Sequence, residues 1–106
     1  MLDWLDIRNG KILLEDFLNI NIPLKDQIWS LKEDMLQIGF MNKKYIIDVG
    51  WTREFELDGK FRIIVISDLD WDEPLIQKEV DVEDLPREVN NCIEYLHSLM
   101  QKDETL

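Results

Sequence analysis

The runs Met35-Leu-Gln-Ile-Gly-Phe40, Tyr45-Ile-Ile-Asp-Val-Gly-Trp51 and Phe61-Arg-Ile-Ile-Val-Ile-Ser67 decide the fold. In the first, Leu36, Ile38 and Phe40 share one side, and in the second Tyr45, Ile47, Val49 and Trp51 do the same. A repeat of two is the side-chain period of a strand. Asn42, Lys43 and Lys44 leave room only for a tight connection, which predicts an antiparallel hairpin. The third run is apolar at almost every position, as expected of a central strand covered on both faces. Asp58-Gly59 before it suits a turn that needs positive φ. A fourth strand is expected over Leu75 to Val80, at an edge, because Pro74 opens it and Gln77, Lys78 and Glu79 are polar.

Outward from this centre the period returns to that of a helix. Leu85, Val89, Cys92, Ile93, Leu96, Leu99 and Met100 form one stripe, with Glu88, Asn91, Glu94 and Ser98 opposite. Asp81 or Asp84 can cap the first turn and Pro86 suits its start, so a helix is predicted from about Leu85 to Gln101, with Asp103 to Leu106 fraying. On the other side, Ile12, Leu13, Phe17 and Leu18 predict a short helix from about Gly10 to Asn19, and Pro23 opens a further helical turn. The expected fold is a single α+β domain over residues 1–106. It is a four-stranded antiparallel β-meander with the C-terminal helix packed on one face and a short N-terminal helical segment.

The chain of 106 residues is long enough for one core, and 45% hydrophobic with 33% charged residues is a composition that folds. One cysteine, Cys92, permits no internal disulfide, and Met1 to Gly10 lacks the basic start and apolar run of a signal peptide. No stretch approaches the length of a membrane span. A cytoplasmic location is therefore expected. The net charge of -11 is concentrated in residues 68–106, which hold 12 acids and 3 bases. Such a field repels nucleic acid and anionic lipid and attracts a basic partner, although it also serves solubility alone.

Chemistry finds few residues to work with, and no enzyme is expected. His97 is the one histidine, Cys92 lies in the apolar stripe without a neighbouring cation, and Ser30, Ser67 and Ser98 lack a nucleophile's context. No glycine-rich phosphate loop and no cofactor motif occurs. Asp68-Leu-Asp70-Trp-Asp72-Glu73, with Glu79 twelfth from Asp68, imitates the ligand spacing of a calcium loop. Glu73 stands where the loop glycine belongs and Pro74 follows, so a solvated acidic turn is preferred and no metal site is assigned. A small acidic regulatory or calcium-binding module using the Asp68 to Glu79 carboxylates is the alternative. Trp71 among four carboxylates is either an interface anchor or a ring folded back on the sheet.

Lys32-Glu-Asp-Met-Leu-Gln37, Tyr45-Ile-Ile-Asp48-Val-Gly50-Trp51, Asp58-Gly-Lys-Phe61 and Asp70-Trp-Asp-Glu-Pro-Leu75 together resemble a family of small bacterial immunity proteins. Those proteins belong to polymorphic toxin and contact-dependent growth inhibition systems. The resemblance spans Lys32 to about Met100, and departs from the family's pattern at Thr52-Arg53, where an aromatic-Pro pair would follow the tryptophan. It implies a non-catalytic protein that binds the C-terminal toxin domain of a cognate partner and blocks its active site or substrate access. Nucleases with basic grooves are frequent among such toxins. The contact residues expected here are Asp68, Asp70, Trp71, Asp72 and Glu73, with Glu88 and Glu94 from the C-terminal helix.

Overall fold

The computed structural model describes residues 3–104 of the chain. Its architecture is α+β: an antiparallel sheet of five strands in sequential order, followed by one long helix. The strands are β1 (Lys11–Glu15), β2 (Leu36–Phe40), β3 (Tyr45–Trp51), β4 (Phe61–Ser67) and β5 (Ile76–Val80), and the helix α1 is Leu85–Glu104. Five elements match the sequence reading to the residue at one end or both: β3 and β4 at both, β2, β5 and α1 at one. Thr105 and Leu106, expected to fray, lie outside the described residues, and Asp103 and Glu104 belong to the helix.

The predicted helix over Gly10 to Asn19 is corrected to a strand. Lys11 pairs Gly39 and Glu15 pairs Leu36, with a bulge between Ile12 and Leu14. The bulge explains the misleading pattern, since an extra residue inside a strand destroys its period of two. Phe17 and Leu18, just beyond the strand, are buried in the core. The helical character expected after Pro23 is present as two single-turn 3-10 helices, Leu24–Asp26 and Ile28–Ser30.

Because β1 adds an edge, β3 becomes the middle strand, and every one of its residues is buried. This corrects the expectation for Phe61 to Ile66. Strand β4 lies next to the edge strand β5, and its Arg62 and Ile64 are only half-buried. Alternation assigns the two faces. Leu36, Ile38, Phe40, Tyr45, Ile47, Val49, Trp51, Phe61, Ile63 and Val65 meet Leu85, Val89, Cys92, Ile93, Leu96 and Met100 of α1 in one core. Its centre is aromatic: Phe61 packs edge-on against Trp51 at 4.9 Å between centroids and lies 6.0 Å from Phe17, which meets Trp4. Such pairs add about 0.5–1.5 kcal/mol each to the burial itself.

Two glycines are required by close approach of backbone. A Cβ at Gly50 would lie 1.7 Å from the Glu33 carbonyl oxygen, where residues 32–34 cross the sheet, and one at Gly59 would lie 1.8 Å from the Thr52 carbonyl oxygen. Gly59 has no positive φ, contrary to the expectation for Asp58-Gly59; Arg53 and Phe55 take the left-handed conformation instead, each at φ 64. Neither aspartate caps its turn as expected. Asp81 makes no side-chain cap and accepts from Lys60 Nζ at 2.7 Å, while Asp84 pairs with Arg87 at 3.2 Å.

The Gly50 contact is with main chain, which cannot rotate away. Gly50→Ala is expected to cost about 3 kcal/mol in urea unfolding, at the upper end of ordinary overpacking. A variant of unchanged midpoint would show that residues 32–34 do not need to cross there.

Candidate functional site

Among the described residues no α-helix covers the sheet face turned away from α1, and the strand register arranges its side chains in rows. Lys11, Gly39, Ile46 and Ile66 make one row, and Leu14, Gln37, Asp48, Ile64 and Gln77 the next. Gly50, Arg62 and Glu79 make the third. The first row is closed by apolar atoms: Ile46 and Ile66 are buried, and the Leu13 side chain packs into the space a Cβ at Gly39 would take. The other two rows are polar.

Asp48 lies at the centre of the polar rows and is 2% exposed. Gln37 Nε2 donates to its Oδ1 at 3.0 Å, and Arg62 Nη2 donates to its Oδ2 at 3.0 Å. The same Arg62 nitrogen also donates to the Glu33 carbonyl at 3.0 Å and comes within 3.9 Å of Asp34. Arg62 Nε is buried without an acceptor. Burial pushes the Asp48 carboxyl above its ordinary value; Gln37 and Arg62 oppose the shift and Asp34 adds to it. Desolvation thus outweighs the single good ion pair, as expected where one partner is deeply buried.

Beside this pair is an open cleft of about 380 Å³ lined by Glu33, Asp34, Gln37, Asp48, Arg62, Ile64 and Trp71. Trp71 arrives from the β4–β5 connection. Asp68 and Leu69 both have positive φ, and the Asp70 amide donates to the Ser67 carbonyl at 3.0 Å, a tight turn that reverses the chain. Asp70 Oδ1 then accepts from the amides of Asp72 and Glu73, each at 3.2 Å. Asp68, Asp70, Asp72 and Glu73 are all exposed and form no ion pair with another described residue. Trp71 lines the cleft over the sheet and keeps 46% of its surface exposed.

The acids of α1 do not join this cluster. Glu88 is held by Lys78 at 2.8 Å, with Arg87 at 3.9 Å, and its side chain is 19% exposed. The Lys78 hydrogen bond pulls its carboxyl below the ordinary value. Glu94 pairs with Arg8 of the N-terminal segment. Both carboxylates are spent on holding the helix to its neighbours.

Glu79, the twelfth position of the calcium-like spacing, stands on β5 opposite Arg62. Among the described residues, no three histidine, cysteine, aspartate or glutamate side chains converge as a metal-holding group. Cys92 is buried in the core, and burial raises its thiol pKa.

Gln37, Asp48, Arg62, Glu33 and Asp34 were missed as site residues. Their signal was present: Gln37, Asp48 and Arg62 are the polar positions of three apolar strands, and each falls on the side opposite the core period. A further exposed feature is the aromatic pair of Trp29 and Phe55, 5.3 Å apart, with Trp29 76% exposed.

Among the described residues no helix is long and apolar enough to cross a membrane. Comparison with protein-family models, curated proteins and solved structures finds no match to this chain.

The Asp48–Arg62 pair generates a prediction. Arg62→Met leaves a buried carboxylate uncompensated and is expected to cost about 3 kcal/mol at neutral pH, whereas Asp48→Leu/Arg62→Met should recover most of that loss. Between the ordinary carboxylate value and its raised folded value, Asp48 keeps a proton that the unfolded chain has released. Its contribution to stability therefore falls as pH rises through that window. Carbon-detected NMR titration should place the Asp48 midpoint above the usual aspartate range and higher still in Arg62→Met; an ordinary midpoint in both would refute the burial argument.

Proposed function

We propose that the chain is a non-catalytic immunity protein of the cytoplasm that neutralises the basic toxin domain of a cognate partner by binding it. The observation that carries this reading is the β4–β5 connection: four exposed carboxylates, without ion pairs among the described residues, flank a half-exposed tryptophan. Glu88 and Glu94, by contrast, are held in ion pairs with Lys78 and Arg8. The turn acids hold no other side chain in place, and the turn costs conformational energy to form, because neither Asp68 nor Leu69 is a glycine.

The chemistry of such a surface suits a basic protein. Net charge of -11 raises the rate of encounter with a positive groove, and Trp71 supplies the apolar contact that outlasts the encounter. A nuclease groove built for phosphate presents that complement, and an acidic protein seated in it excludes the substrate. The resemblance of Lys32 to Met100 to immunity proteins supports the same assignment.

Affinity capture from the native cells at low salt, with mass spectrometry, is expected to retain one basic protein whose binding weakens as salt rises. Reversal of the turn charge in Asp68→Lys/Asp72→Lys/Glu73→Lys should lower its association rate by about tenfold or more at low ionic strength. Asp70 is left in place because it holds the turn. An unchanged rate in the reversed protein would remove the turn from the interface.

A further inference from the structure

The turn is the exposed margin of a larger feature, the cleft between Trp71 and residues 33–34. Three carboxylates, Glu33, Asp34 and Asp48, line it against one guanidinium. That guanidinium is already committed: Arg62 Nη2 lies 3.0 Å from Asp48 Oδ2 and 3.0 Å from the Glu33 carbonyl oxygen. Arg62 Nη2 also lies 3.9 Å from Asp34 Oδ1, so one guanidinium stands against three acidic residues and the excess charge of the cleft is negative, with Glu33 and Asp34 exposed at its rim. Trp71 forms an aromatic wall of the same space. Carboxylates facing a half-exposed indole are the environment in which an organic cation is held, by ion pairing and by the ring's negative face.

We infer that this cleft seats a lysine or arginine side chain of a basic polypeptide, its cation lying against Trp71 and pairing with Glu33 and Asp34. The inference deepens the function proposed above and rests on it for the partner being a protein. A polypeptide fits better than a free amine because the cleft is not closed. Glu33 and Arg62 also border a second hollow of about 250 Å³ lined further by Trp51, Thr52, Arg53 and Glu54, so the two hollows share a wall. A chain entering over Trp71 would pass above Glu33 and Arg62, the wall between the hollows, to reach the second. Its positive charge would meet Glu54 beyond, since Arg53 is paired with Asp58.

Buried Asp48 has a separate part. It neutralises Arg62, which would otherwise repel the incoming cation, and it holds the guanidinium down in the floor of the cleft. Asp48 and Arg62 are positioning residues, and Trp71, Glu33 and Asp34 are the binding ones.

The test uses the full chain labelled with nitrogen-15 and the tripeptide N-acetyl-Arg-Arg-Arg-amide at low salt. The expected result is a saturable shift of the Trp71 indole N–H and the Gln37 side-chain amide. Trp71→Ala and Glu33→Gln/Asp34→Asn should each weaken binding about tenfold. Trp71→Phe, which keeps an aromatic face, should recover most of the loss. Asp26→Asn/Glu83→Gln removes the same charge elsewhere and should change affinity less than about twofold. The inference is overturned if the Trp71 resonance does not move, or if the control pair weakens binding as much as the cleft pair. Circular dichroism checks that each variant is folded. Saturable tripeptide binding in the cleft with no basic protein captured from cells would keep this inference and sink the immunity reading. A captured partner insensitive to the cleft variants but lost on charge reversal of the turn would do the reverse.

Discussion

One helix cannot cover both faces of a five-stranded sheet, and the rest of the structure answers to that constraint. Helix α1 closes one face over Ile47, Val49, Phe61 and Ile63, and the other must be finished by the sheet itself. On the β1 side it is finished with apolar atoms, where Leu13 packs over Gly39 and Ile46 with Ile66 is buried. On the β4 side it is finished with a charged pair, Asp48 and Arg62, and with the main chain of residues 32–34 crossing at Gly50. A half-covered face of this kind is where a small domain can carry a binding surface without opening its core.

The polar solution has a thermodynamic cost that an apolar one would not. Desolvation raises the Asp48 carboxyl although two donors reach it, and Arg62 keeps a buried Nε without an acceptor. Pairs of this sort are weak contributors to stability, and replacing both partners by hydrocarbon is commonly neutral or better. Their presence beside an aromatic wall and two exposed carboxylates is more readily explained by the surface they shape than by the fold they support.

Electrostatics separates the acids of this chain into two kinds. Asp16, Asp58, Asp81, Glu88 and Glu94 are each matched to a lysine or arginine, and these pairs join loops, strand β5 and the N-terminal segment to the main body. Most are exposed and contribute no more than about 1 kcal/mol each. The turn acids Asp68, Asp70, Asp72 and Glu73 have no such partner among the described residues, and their turn holds Asp68 and Leu69 in a conformation that non-glycine residues adopt at a cost of about 1–3 kcal/mol. The left-handed residues Arg53 and Phe55 impose the same cost at the β3–β4 loop, whose Phe55 packs on Trp29.

Local pattern was enough for the β2–β3 hairpin, strands β4 and β5 and helix α1: β2, β3 and α1 each carry one uninterrupted apolar face, β4 is an apolar run, and β5 is a polar run opened by Pro74. Charge counting likewise singled out residues 68–106 as the acidic part of the molecule. Strand β1 was beyond that method: its bulge places Ile12 and Leu14 out of alternation, and only pairing with β2 makes the segment extended. The site was divided in the same way. Asp68 to Glu73 could be found as a local run, but Glu33, Asp34, Asp48 and Arg62 come from separate segments and meet only through register and the crossing at Gly50. Glu88 and Glu94 looked equally available in sequence, and only the tertiary structure shows Lys78 and Arg8 already holding them. Local pattern specifies which way a side chain faces; which charges are left without partners is decided by the distant segments that fold against it.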